Sequence, residues 1–246
     1  MSRFALALVF ASALALFGPG PAWAGGYGPF DWGEGLKSAT KKLDGRKLTP
    51  RTDLETVIAE ARLLRDERDE KVRLARLKKK PAAEIRRLQK APPAKARLSA
   101  WYYWVELGNL DAKVVLHFLD ERLTSAEVNV LFEAAQREAA AELLDLMQSK
   151  YGAPKEHRGA ESPAAPVVDT FDAGDTEIEA YQQPAVNGRK GFLRLIYRSK
   201  DRRETITTYL GQLEERRKAL DLARNPPGPT PEEREMHRKS ALMQHL

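Results

Sequence analysis

The run Trp101-Tyr102-Tyr103-Trp104-Val105, followed by Gly108-Asn109 and by Ala112-Lys113-Val114-Val115-Leu116-His117-Phe118-Leu119, decides the fold class. Aromatic and β-branched side chains pack well on a pleated surface and the Gly-Asn pair supplies a turn, so two paired strands are predicted. Asp120-Glu121-Arg122 is a second turn, and Leu123 to Leu131 predicts a third strand in which Val128 and Val130 alternate with polar neighbours. Glu133 to Tyr151 is the clearest helix, with Ala135, Ala139, Leu143, Leu144, Leu146 and Met147 on a broad apolar face. It closes at Lys150-Tyr151-Gly152-Ala153-Pro154, where Gly152 takes a left-handed position and Pro154 forbids continuation.

Working outward, His157 to Pro166 reads as a polar linker. Val167 to Phe171 and Thr176 to Tyr181 are predicted to pair across Asp172-Ala173-Gly174-Asp175. Asn187-Gly188 then turns the chain into Gly191 to Arg198, a buried strand, and Glu204 to Ala223 is a last helix. Asn225-Pro226-Pro227-Gly228-Pro229 ends order, so 224–246 reads as a disordered tail. Strands, helix, strands, helix is an α+β plan: an antiparallel sheet backed by helices over 98–223, with a charged N-terminal helical arm.

The arm is 52–97. Thr52-Asp53-Leu54-Glu55 fits a capping box, and a long helix is predicted from there to Lys80. Leu54, Val57, Ile58, Ala61, Leu64, Val72, Ala75 and Leu77 make a narrow stripe interrupted by Arg65 and Arg68, too ragged for a coiled coil. Pro81 stops the helix, and Ala82 to Lys90 forms a short second one before Pro92-Pro93. Between Arg46 and Arg97 stand 17 Lys+Arg against 8 Asp+Glu, in a chain of net charge +6. The basic character therefore belongs to this segment. Such a block meets anionic polymers, lipid head groups or nucleic acid, or is a plain solvated helix face.

Ahead of the arm, 25–51 reads as a loose segment in which Gly25 to Pro29 is glycine-rich and Phe30 and Trp32 pin the chain to a core. Residues 1–24 have the three-part plan of a secretory signal: Arg3, an apolar run from Phe4 to Phe17, and Ala22-Trp23-Ala24 before the cut. The apolar run is shorter than a membrane span and ends in Gly18-Pro19. Cleavage near Ala24 predicts a soluble periplasmic or secreted product with no transmembrane span. There is no cysteine, which excludes lipidation at the cut, thiolate zinc sites and thiol nucleophiles.

An exported start, Trp32-Gly33, the Phe118 to Leu123 turn and the Lys150 to Pro154 helix end are on the page together. In these features the chain resembles a loose group of small exported, periplasmic bacterial domains of uncharacterised role, over Leu98 to Lys200. That group carries a Trp in the strand after its Lys-Tyr-Gly turn; here Phe171 and Tyr181 occupy that stretch. The resemblance implies no activity.

No catalytic, cofactor or metal motif is present: neither a nucleophile elbow, nor Ser-x-x-Lys, nor a phosphate loop. Asp169, Asp172, Asp175, Glu177 and Glu179 form an acidic cluster without calcium-loop spacing, and His117 is a strand histidine without a partner at metal spacing. On a strand, Trp101 and Tyr103 face one way and Tyr102 and Trp104 the other. One pair fills the core, and the arm is expected to cover the other unless it is a contact surface. The candidate contact residues are Trp101, Tyr102, Tyr103 and Trp104, with Arg73, Arg76, Lys78, Lys79 and Lys80 on the arm. The leading expectation is a non-enzymatic envelope protein that binds another envelope protein or an anionic envelope polymer, with no cofactor and no nucleic acid. The alternatives are an exported hydrolase using His117 and the 169–179 carboxylates, and an electrostatic binder of anionic polymer or lipid through the arm.

Overall fold

A computed structural model describes residues 26–43, 45–159, 165–186 and 188–226, together with Met236. The signal segment over 1–24, the Asn187 turn position and the tail past 226 (Met236 apart) lie outside these residues. In chain order the elements are β1 (Gly26–Tyr27), β2 (Phe30–Asp31), α1 (Leu36–Lys41), β3 (Thr49–Pro50), α2 (Glu55–Leu77) and α3 (Ala82–Lys90). Next come β4 (Leu98–Leu107), β5 (Leu110–Leu119), β6 (Arg122–Phe132) and α4 (Arg137–Tyr151). The chain continues through β7 (Glu156–Arg158), β8 (Val167–Ala173), β9 (Thr176–Gln183), β10 (Gly191–Ser199) and α5 (Lys200–Arg224). The fold is α+β. It divides into a sheet unit, made of the chain up to Arg62 and Lys95–Tyr209, and a helical unit, made of Leu63–Ala94 and the chain from Leu210.

In the sheet unit, eight antiparallel strands lie in the order β3-β4-β5-β6-β10-β9-β8-β7. The order reads as one plan used twice. Four antiparallel strands precede α4 (β3 to β6, with α2 and α3 inserted between β3 and β4), four more precede α5 (β7 to β10), and the last strands of the two halves, β6 and β10, pair at the centre. One face is apolar: Tyr103, Val114, Leu116, Val128, Leu195, Tyr197, Ile178 and Phe171 pack there with Tyr27, Phe30, Ala39 and, from α4, Ala140, Leu143 and Met147. The α4 helix ends as expected, with Gly152 at φ 83 and its N–H on the Gln148 carbonyl at 2.8 Å.

Three expectations are corrected here. The glycine-rich start is not loose: β1 pairs with β2, and Tyr27 and Phe30 are both buried, so two aromatic side chains hold the segment down. The segment expected as linker opens with edge strand β7, whose Glu156, His157 and Arg158 pair with Thr170, Asp169 and Val168. The capping box does not form at Thr52, because α2 begins only at Glu55 and the Asp53 carboxylate takes the Arg51 guanidinium at 3.2 Å.

The Asp120-Glu121 turn places two side chains at positive φ (52 and 61), a conformation that usually selects Asn-Gly. The ion pairs Arg97–Asp120 and Lys95–Glu121, each 2.5 Å, hold it. Leu36 N and the Glu121 carbonyl, and Leu123 N and the Glu34 carbonyl, tie the same turn to the N-terminal segment.

In the helical unit, α2 and α5 run parallel. Glu67 takes Arg216 through two hydrogen bonds of 2.8 and 2.6 Å, and Arg224 reaches Asp66 at 3.3 Å. Leu63, Leu64, Leu213 and Leu220 are buried between these charged pairs. The stripe looks ragged in the sequence because Glu67 and Glu70 stand at inward positions and are neutralised across the pair by arginines.

Candidate functional site

Strand β4 divides its aromatics as the pleat requires. Tyr103 is buried, and Trp101 is half-buried against the core with its indole N–H enclosed. Tyr102 and Trp104 lie on the other face. There Lys113 holds its ammonium 4.1 Å from the centre of the Tyr102 ring, a cation–π contact. Trp104 is 58% exposed.

That second face is largely polar, and several of its charges are paired on it or by the start of α5. Cross-strand register puts His117, Ser125, Arg198, Glu177 and Asp172 in one row. Glu127 accepts from Arg194 at 2.8 Å and has the Nε2 of His117 at 3.3 Å, close enough for an ion pair though not aligned as a hydrogen bond. Burial works against ionising Glu127, yet His117 and Arg194 outweigh it and hold the carboxyl down at about 2. Glu179 is taken by Arg198 and by the Tyr181 hydroxyl, both at 2.8 Å, Glu177 by Arg203 at 3.0 Å and Asp172 by Lys200. Asp169 shares the face of Phe171 and pairs with His157 at 2.6 Å.

The hydrolytic constellation therefore does not assemble. His117 on β5 and Glu177 on β9 are three strand spacings apart, ~14 Å, and Asp169 is on the opposite face. Among the described residues no group of three or more His, Asp and Glu is placed to hold a metal ion.

The end of α2 is built differently. Lys79 N–H bonds the Arg76 carbonyl and Lys80 N–H bonds the Ala75 carbonyl, both at 3.0 Å. This is a Schellman closure with Lys79 at φ 51, the left-handed position that glycine fills most cheaply. The chain thus keeps a lysine where the backbone favours none. Pro81 then starts α3, whose Ile85 and Leu88 are half-buried while Arg86, Arg87 and Lys90 are exposed.

From Lys71 to Lys90 there are nine Lys and Arg and one carboxylate, Glu84. Arg73 is held by Glu70 at 2.7 Å and Lys80 by Glu84 at 3.5 Å. The other seven cations are exposed and make no ion pair with a described residue. Between α2 and α3 lies a groove of about 650 Å³ with Val72 and Leu77 among Arg68, Asp69, Arg73, Arg76 and Gln89. Leu77 is 65% exposed and Leu74 40%.

No protein-family model matches the chain, and neither does any curated protein or solved structure. Function must therefore be argued from the chemistry of the surface itself. Of the contact residues expected from the sequence, Tyr103 and most of Trp101 belong to the core, Tyr102 and Trp104 to the opposite sheet face. Arg76, Lys78 and Lys79 make no ion pair with a described residue, while Arg73 and Lys80 are engaged. Sequence reasoning missed Leu74, Arg86, Arg87 and Lys90 as members of the same surface. The signal for them was the single acid in 71–90.

Proposed function

We propose that the protein is an exported, non-enzymatic binding protein of the bacterial envelope that takes an anionic macromolecular partner on the basic end of its helical unit. The observation that carries this is the set of seven exposed cations between Lys71 and Lys90 without an ion-pair partner among the described residues. On the sheet, by contrast, Glu127, Glu177, Glu179 and Asp172 each have a basic partner. Clustered like charges repel one another and set up a positive field that an anionic partner relieves. Export is supported by the composition of residues 1–24, and a non-catalytic role by Asp169, Asp172, Glu177 and Glu179 each being held by a basic side chain, with His117 three strands away from Glu177.

Two measurements test this. Fractionation should find the chain in the periplasm or medium with Gly25 as its first residue; an intact Met1 in cytosolic protein refutes export. The purified protein should bind soluble polyphosphate with an affinity that falls steeply as salt rises. Reversing Lys78, Lys79 and Lys80 to Glu should abolish that binding. Unchanged binding by the reversed variant refutes the role of this surface.

A further inference from the structure

The geometry points to a more specific partner: we propose that the end of the helical unit docks peripherally on a bilayer rich in anionic lipid. This rests on the binding role proposed above and names its target. Unpaired cations by themselves suit any polyanion. What singles out a lipid surface is apolar area exposed among them. Leu77, 65% exposed, is followed directly by Lys78, Lys79 and Lys80, and Leu74 one turn earlier is 40% exposed. A soluble polyanion in water offers such side chains nothing to enter. A bilayer offers phosphates to the lysines and, a few ångströms deeper, acyl chains to the leucines.

The groove between α2 and α3 repeats that arrangement, with Val72 and Leu77 bordered by the guanidinium groups of Arg68, Arg73 and Arg76. In α3 the same separation holds, with Ile85 and Leu88 half-buried and Arg86, Arg87 and Lys90 exposed. Lysine and arginine stems are long enough to let an apolar residue descend while their charges stay at headgroup level. Lys79 in the left-handed position fits as well, since a glycine there would remove one cation two residues from Leu77. No described helix is long and apolar enough to cross a membrane, so the contact is one of docking.

The test uses the full chain from Gly25 with vesicles of phosphatidylglycerol and phosphatidylethanolamine, vesicles of phosphatidylcholine alone, and soluble polyphosphate. Co-sedimentation should occur with the first vesicles and not the second, weakening at least tenfold between low and high salt as exposed charges are screened. Leu77→Ser should weaken vesicle binding several-fold and leave polyphosphate binding unchanged. Because Leu77 is mostly exposed, the variant folds, which circular dichroism verifies. Binding to polyphosphate without binding to anionic vesicles overturns the lipid inference and leaves the anion-binding role standing. Equal vesicle binding by Leu77→Ser also overturns it. Failure with both ligands overturns inference and role together.

Discussion

The Tyr209 hydroxyl donates a hydrogen bond to the carboxylate of Glu60, which is 149 residues away in the chain and 1% exposed. The same carboxylate accepts the backbone N–H groups of Arg97 and Leu98, each at 2.8 Å, and the Arg97 guanidinium lies 4.2 Å from the centre of the Tyr209 ring. One buried acid thus joins the first turns of α2, the entry to β4 and the middle of α5. Three donors converge on it, so an acceptor-only group is required. Glu60→Gln would bring an amide NH2 against one of those donors. It should lower unfolding free energy by about 2–4 kcal/mol, and Tyr209→Phe by about 1–2 kcal/mol, in urea titrations. A Glu60→Gln midpoint equal to that of the native chain would refute this.

Acid should loosen the sheet through Glu127. Its folded-state value, about 2, lies below the ordinary 4.5, so the folded state prefers the ionised form. The stabilisation is complete above pH 4.5 and is lost as pH falls from there through about 2. Arg194→Met should reduce stability at pH 7 and flatten the pH dependence in that window. A slope identical to that of the native chain would show that Glu127 is not the group responsible.

Two glycines should respond to alanine in opposite directions. At Gly191 a Cβ would meet the Phe132 ring at 2.5 Å and the backbone nitrogen of Ala185 at 2.7 Å, neither of which gives way easily. Gly191→Ala should destabilise by roughly 1–3 kcal/mol. At Gly211, within α5, a Cβ meets nothing within 4 Å, and Gly211→Ala should stabilise by about 1 kcal/mol. Thermal melts read both signs.

Lys79→Gly separates stability from binding. Relief of the left-handed backbone should raise stability by about 0.5–1 kcal/mol, while the loss of one cation weakens polyphosphate binding. A destabilised variant would mean that the Lys79 side chain contributes packing that its exposure does not suggest.

The strands on either side of Gly108-Asn109 and the helix closing at Gly152 were legible because their signals are local: aromatic and β-branched runs, a turn pair, a broad apolar face with a glycine stop. The edge strands β3 and β7 were not legible. At two and three residues they have no period to read, and Thr49-Pro50 and Glu156 to Arg158 become strands only because β4 and β8 offer unpaired backbone. In the candidate surface the excess of lysine and arginine could be counted along the chain, but which of them are unpaired could not. Arg73 and Arg76 look alike in sequence, and only Arg73 has Glu70 against it.

By itself the sequence determined an α+β chain without cysteine, with its positive charge gathered in one helical segment, because composition and short-range periodicity suffice for that. Tertiary structure alone decided that the two halves of the sheet share one strand order, that Glu60 is buried under three donors, that Glu127 meets Arg194 and His117 on the polar face, and that Trp104 and Leu77 stay exposed. Each of these depends on residues far apart in the chain meeting or failing to meet, and linear spacing carries no record of that.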